Sequence, residues 1–380
     1  MTNQPVSKKA NRIAVACFFF IAGISFDSWA SRIPDIKAKL HLSDAALGGV
    51  LFALPVGSMI SLPLSGWLVS KYGSKRMVTI AVTCYPLILI LIGTTASIWQ
   101  LVSVLLVFGL FGNLCNISVN TQAIGVQASY GRSIMATFHG IWSMAGFTGA
   151  AIGTFLVSKD LSPFYHFAII WLACLVLLVS IQRFALAKDH GHESQQVFVR
   201  PDSALMKLGL IAFSCMVCEG TMFDWSGVYF QKVVAAPKEL ITLGYAAFMG
   251  TMASGRFIGD FMVTRFGSRK VLEASGILIT TGLLIAVLFP TIILATIGFL
   301  FVGFGVSSVI PLVYSAAGKS KTMSPGMALA AVSTIGFFGF LMGPPLIGLI
   351  AQAFSLRWSF TLIAVLGFGT TLLAARVKTF

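Results

Sequence analysis

The residues of this chain best placed to do chemistry are ionisable groups set inside long apolar runs: Asp27, His139, Glu219, Asp224, Arg256 and Asp260. A charge at bilayer depth costs on the order of 3 kcal/mol unless it is paired, protonated or reached by water, so such residues mark proton, ion or solute paths. Glu219 stands near the middle of its run and suits reversible protonation. Asp27 and Asp224 stand near the ends of theirs, where an acid at a helix C-terminus opposes the dipole. Two readings stand for them: pairs with Arg32 or Lys232, or a cation or proton access site. Glu219 and Asp224, five residues apart, point about 140° apart on a helix and so do not share one contact. Arg256 precedes Asp260 by four on one helix face, which allows an internal pair. Arg256 is equally a cation for an anionic or hydroxylated solute, or a counter-ion for Glu219. His139 either titrates near neutral pH as a coupling group or serves packing.

Neutral groups add to this set. Asn113, Asn116 and Asn120, at i, i+3 and i+7, place three amides on one helix face. Amides facing lipid are costly, so the face is expected to meet a neighbouring helix or a cavity, where it would bind a sugar-like or other polar solute. Trp29, Trp142 and Trp225 are candidates to stack on that solute, and Trp29 and Trp225 are equally candidates to anchor at a membrane interface. Cys215 and Cys218 have CxxC spacing but no second pair or nearby His, so they read as packing, and neither a metal site nor a disulfide framework is expected. No ATP-binding loop and no nucleophile constellation points to an enzyme, and no cofactor is expected beyond a coupling proton or sodium ion.

The elements that must position these groups follow from composition. Of 380 residues, 57% are hydrophobic and 10% charged, against about 25% charged in soluble domains. A soluble globular enzyme is excluded. Runs of about 20 apolar residues fall near 12–30, 46–69, 77–97, 101–124, 134–157, 164–183, 207–230, 241–263, 271–289, 291–313, 326–351 and 358–375. These runs are continuously apolar, so they predict twelve membrane-spanning helices and exclude alternating β-strands. The net charge of +14 would otherwise invite a nucleic-acid reading. With the N-terminus inside, however, eighteen Lys and Arg residues fall on inner loops and seven on outer ones. The excess predicts both termini in the cytoplasm of a bacterial inner membrane and no nucleic-acid partner. Asp27 and Trp29 occupy the place where a signal peptide needs small residues, so the first run is read as a retained helix.

The chain repeats itself. A polar stretch at 184–206 separates six runs from six, giving bundles at 1–183 and 207–380, and its His190 and His192 read as solvated linker residues. Phe26-Asp27 matches Phe223-Asp224, Leu47-Gly48 with Phe52 matches Leu243-Gly244 with Phe248, and KYGSKR at 71–76 matches RFGSRK at 265–270. Six-plus-six spans in a parallel repeat are a layout of transporters whose two bundles rock about a central site.

The segment Gly66-Trp-Leu-Val-Ser70-Lys71-Tyr-Gly73-Ser-Lys75-Arg76 resembles the signature of the major facilitator superfamily between its helices 2 and 3, GxLaDRxGRR. Its glycines would permit a tight turn and close helix approach, and Arg265 and Gly267 repeat Lys71 and Gly73 in the second half. The superfamily's Asp is Ser70 here and Thr264 in the second copy, so a charge relay through this loop does not carry over. SWASRIPDIK (28–37), GGVLFALPVGSM (48–59), FHGIWSMAGFTGA (138–150), EGTMFDW (219–225), GRFIGD (255–260) and GFLMGPPLIG (339–348) resemble a narrower bacterial branch, YbjJ-like and related to fucose permease. The resemblance implies that helices 1, 4, 7 and 10 line a cavity. It also implies that helices 5 and 8 meet across the halves, which would bring His139 toward Arg256. Gly343, Pro344 and Pro345 are expected to break helix 11 and act as a hinge.

These residues together point to a monomeric secondary transporter in the lipid bilayer, moving a small polar solute, sugar-like or an organic anion, by alternating access with proton symport. An antiporter exporting drugs or metabolites, and a transporter-like sensor, are the alternatives. Glu219 is the first choice for proton coupling with Asp27, Asp224 and His139 in support, while Arg256, the helix 4 amides and the tryptophans contact solute.

Overall fold

A bilayer core offers no water to backbone polar groups, so a spanning segment must close its hydrogen bonds within itself. The computed structural model describes residues 7–130, 134–187, 202–320, 322–323 and 325–377, side chains at 136, 260, 325, 326 and 330 excepted, and among them every regular element is a helix. The first half holds α1 (Lys8–Ala30), α2 (Ile33–Lys39), α3 (Asp44–Leu51), α4 (Ala53–Tyr72), α5 (Ser74–Thr94), α6 (Ile98–Tyr130), α7 (Met135–Ser158) and α8 (Pro163–Ile181). The second holds α9 (Ser203–Lys232), α10 (Leu243–Phe266), α11 (Ser268–Leu288), α12 (Ile292–Val306), α13 (Val309–Ala317), α14 (Pro325–Ala353) and α15 (Leu356–Arg376). Eleven segments, with α1–α2, α3–α4 and α12–α13 each counted once, are long and apolar enough to cross a membrane. The 24-residue α10 stands in the remaining place, so each half contributes six spans. His190, His192 and most of the linker lie outside the described residues.

Helix ends follow local chemistry. Ser7, Ser43, Asp202 and Thr291 accept hydrogen bonds from backbone N–H groups three residues on and so cap α1, α3, α9 and α12. Between α4 and α5, Gly73 has φ 83 and ψ 146, and between α10 and α11, Gly267 has φ 82 and ψ 151. This region of backbone space is open essentially to glycine alone. The two repeats therefore turn the same corner with the same backbone. Gly66 differs from expectation: a Cβ there would meet nothing within 4 Å, so it mediates no close helix approach. The tenth span is also interrupted, between α12 and α13, where the Ser307 hydroxyl donates back to the Phe304 carbonyl at 2.7 Å and competes with the helix ladder.

The chain packs as two units, Met1–Leu40 with Ala53–His192 and His41–Phe52 with Glu193–Phe380. In the first, α1 lies on α7, α4 on α6, and α5 on α6 and α8. In the second, α9 lies on α14, α11 on α12 and α15, and α10 on α12. Glycine allows the closest crossings: a Cβ on Gly109 would sit 2.0 Å from the Leu54 carbonyl oxygen, and one on Gly303, its repeat counterpart, 2.1 Å from that of Phe248. Residues 41–52 pack with the second unit although they precede the linker, because α3 lies on α14. A Cβ on Gly48 would fall 2.6 Å from the Pro344 carbonyl oxygen. Asp44 also accepts from Lys232 Nζ at 2.8 Å.

Pro344 and Pro345 do not break their span: α14 runs unbroken from Pro325 to Ala353. The prolines remove two ladder donors, yet the helix continues through them, and Gly48 of α3 lies close against the backbone at Pro344, Pro345 and Gly348.

Replacing Gly73 or Gly267 by Ala is expected to destabilise the protein by about 1–3 kcal/mol each, lowering the midpoint of thermal unfolding in detergent. Gly66→Ala should leave that midpoint unchanged within error.

Candidate functional site

The second unit brings together the groups with most chemical potential. Asp202 starts α9 by accepting the Leu205 N–H at 2.8 Å and the Thr322 hydroxyl at 2.7 Å. These bonds, the Leu205 N–H foremost, hold its carboxyl below the usual carboxylate range. From that start the helix carries Glu219 to its middle, where the residue is 5% exposed. Arg256, from the middle of α10, reaches it with Nη2 at 3.3 Å from Oε1. The Arg256 side chain keeps 18% of its surface exposed against 7% for that of Glu219. Cys215, one turn before Glu219, is buried with Sγ 4.0 Å from the Val306 carbonyl oxygen. Tyr314 of α13, hydrogen-bonded to Ser333, lies within electrostatic reach of Glu219.

Asp224 follows on the same helix, buried at 7% exposure, and no hydrogen bond or ion pair engages its carboxyl among the described residues. Lys232, a sequence-based partner for it, is bound to Asp44 instead. The Asp260 side chain lies outside the described residues, and Arg265 is exposed at the end of α10. A Cβ on Gly343 would lie at ordinary contact distance, 3.9 Å, from the Val217 backbone.

In the first unit Asp27 is fully buried, its Cβ 3.3 Å from where a Cβ on Gly149 would lie. Arg32 does not serve it. The buried guanidinium donates from Nη1 to Asp35 Oδ2 at 2.6 Å and from Nε to His166 Nδ1 at 3.0 Å. His166, fully buried, went unremarked in the sequence, although an imidazole four residues into an apolar run was the available signal. Gln122 was likewise missed. Buried on α6, it donates to Ser74 Oγ at 2.6 Å and to the Leu186 carbonyl at 3.1 Å, and accepts from the Leu186 N–H at 2.8 Å. It thereby ties the Gly73 corner to the start of the linker.

The three amides of α6 divide. Asn113 is buried and donates to Ser65 of α4 at 3.4 Å. Asn116 is exposed, and Asn120 donates to its side-chain oxygen at 2.8 Å, so these two remain a surface-accessible pair. Trp29 and Trp225 are 1% and 0% exposed, which excludes interfacial anchoring. A helix crowded by neighbours on every side leaves no ring free for the interface. Trp142 is half-buried, 6.4 Å from the Phe26 ring. His139 is exposed on α7 with its ring edge-on to Phe19 at 5.3 Å. In the signature loop Ser70 and Arg76 are exposed, and Lys71 Nζ sits 4.6 Å from the Trp67 ring centre and 5.3 Å from that of Tyr72. Among the described residues no group of three or more His, Cys, Asp or Glu side chains is arranged to hold a metal.

The profile described as Major Facilitator Superfamily matches residues 15–324 and 235–379. An uncharacterised MFS-type transporter of Yersinia pestis is 34% identical over 94% of this chain and 93% of its own length. Among solved structures, a mutant form of the nucleoside transporter NupG superposes with TM-score 0.78 at 12% identity, over 97% of this chain and 100% of its own. A D-xylose–proton symporter gives 0.76 at 12% identity, over 98% and 99%. At that identity the two structures speak for the fold alone.

Removing one partner of a largely buried ion pair strands the other charge. Arg256→Gln is expected to cost about 3 kcal/mol of unfolding free energy, read by denaturant titration in detergent. Adding Glu219→Gln to it should recover most of the loss.

Proposed function

The chain belongs to the major facilitator superfamily of membrane transporters, and on that premise we propose that it is a secondary transporter carrying a small polar solute by proton symport. The solute is sugar-like or an organic anion, the membrane a bacterial cytoplasmic membrane with both termini inside, and the branch the YbjJ-like, fucose-permease-related one. The observation that carries the reading is the Arg256–Glu219 pair, an ion pair between the middles of two spans.

The pair closes at 3.3 Å between an Arg256 side chain that keeps 18% of its surface exposed and a Glu219 side chain that keeps 7%, and in this reading it is where the solute enters. A carboxylate or hydroxyl of the solute that takes Arg256 leaves Glu219 without its counter-charge. An ionised, uncompensated carboxylate is strongly disfavoured there, so Glu219 takes up a proton as the solute binds. Solute and proton then load together, which is the thermodynamic content of symport. Within the first unit, taken by itself, the Asn116–Asn120 pair offers hydrogen-bonding groups and the half-buried Trp142 an apolar face of the kind a polar solute uses. Asn113 is a packing residue in this reading, since its amide is spent on Ser65.

Uptake of labelled sugars, nucleosides and organic anions into proteoliposomes under an imposed pH gradient tests the reading. Wild-type protein is expected to accumulate at least one of them, and Glu219→Gln to lose the dependence on the gradient while retaining exchange. Undiminished gradient dependence in that variant would remove Glu219 from coupling.

A further inference from the structure

We propose that Asp224 is the protonated carboxyl of this conformer, while Glu219 stays ionised against Arg256 until a solute takes the arginine. The proposal rests on the transport reading above and deepens it by dividing the two carboxyls of α9 between two roles. Both are buried to a similar degree, at 5% exposure for Glu219 and 7% for Asp224. What differs is company. Glu219 has the Arg256 guanidinium at 3.3 Å. Asp224 has neither a cation nor a hydrogen-bond donor among the described residues.

Among the described side chains, the ionisable groups on the helices packed against α9 leave it so. On α10, Arg256 serves Glu219, Arg265 stands exposed at the far end, the Tyr245 ring lies edge-on to Phe223, and the Asp260 side chain lies outside the described residues. On α13, Tyr314 turns to Ser333. On α15, Arg357 donates to the Val287 carbonyl at 3.0 Å and Arg376 lies in the last turn. The segments α12 and α14 contain no ionisable side chain. On α9 itself, Tyr229 donates to the Ala286 carbonyl and Lys232 to Asp44. The five-residue separation turns Asp224 about 140° from Glu219, so Arg256 does not serve both.

A carboxyl in an apolar interior with no donor is accommodated in its neutral form. The proton is passed from solvent hydronium at the accessible edge: one O–H bond of hydronium breaks, leaving water, and one carboxyl O–H bond forms. The repeat sharpens the assignment. Asp27, at the matching place in the first unit, is fully enclosed and engaged by its neighbours, whereas Asp224 keeps an accessible edge through which a proton can come and go.

Infrared difference spectroscopy of the purified full-length protein, acidic minus alkaline buffer, reads protonated carboxyls directly and needs no solute. The C=O stretch of a protonated carboxyl is expected in wild type, lost in Asp224→Asn and retained in Glu219→Gln. Any other pattern, including a band lost from Glu219→Gln or kept in Asp224→Asn, overturns the proposal. Should Asp224→Asn not yield folded protein, Asp224→Glu serves: it should shift the band, and an unshifted band would overturn the assignment. The spectrum is independent of the uptake assay. A band on Asp224 without proton-driven uptake would sink the transport reading and leave the protonation site, and proton-driven uptake with the band on Glu219 would do the reverse.

Discussion

The cost of an uncompensated charge or polar group in a medium without water governs this molecule from its backbone to its site. It makes every described element a helix. It also sends most Lys and Arg to loops and leaves few ionisable residues inside the spans. The same cost sets the behaviour of those that remain. Arg32 is buried only in the company of Asp35 and His166, and Glu219 only with Arg256. Asp224 has no such company among the described residues. The partners of each interior charge, more than its depth, decide which form it takes.

The repeat shows how one sequence pattern is put to two uses. Where the requirement is purely conformational, the halves agree closely, as in the matching dihedrals of Gly73 and Gly267 and the matching crossings at Gly109 and Gly303. Where it concerns packing partners, they part. Leu47-Gly48 and Leu243-Gly244 are equivalent in sequence, yet the first lies in the middle of the short α3, with a break at Phe52 before α4, and the second opens the unbroken α10. Gly48 meets the backbone of α14, while a Cβ on Gly244 would meet the Phe230 ring. Glycine in each copy permits close approach, and what approaches is set by the rest of the unit.

Fold class was readable from the sequence because hydrophobic length and charge placement are one-dimensional signals, as was the Gly73 turn, whose glycine and flanking basic residues recur at Gly267. Side-chain partnership was less readable, since it depends on neighbours distant in sequence. Asn113, Asn116 and Asn120 share a face by spacing, but only the structure shows that α4 claims the first through Ser65. Pro344 and Pro345 carry a local rule for a break that the tertiary setting of α14, with α3 close against it, does not follow. Trp29 and Trp225 lie near span ends, where tryptophans often meet the interface, and are instead enclosed. His166 and Gln122 were overlooked because each is a single polar residue in an apolar run, and their partners, Arg32, Ser74 and Leu186, lie 134, 48 and 64 residues away.

The magnitude of the governing penalty is sufficient for coupling on the proposed reading. Stranding one member of a buried pair costs about 3–5 kcal/mol, and each 1.4 kcal/mol is about tenfold in population. A transporter with solute on Arg256 and an unprotonated Glu219 would thus be disfavoured by roughly 100-fold or more relative to one in which the carboxyl has taken a proton. Partial exposure of Arg256 reduces that factor, because water screens a charge that it can reach. The low exposure of Glu219 preserves it, since the stranded charge is the carboxylate. The asymmetry of the pair, with the arginine side chain more exposed than the glutamate, is therefore the arrangement that on this reading lets a solute enter while keeping an unprotonated, solute-loaded state rare. A pair enclosed on both sides would admit no solute, and one exposed on both sides would impose no coupling.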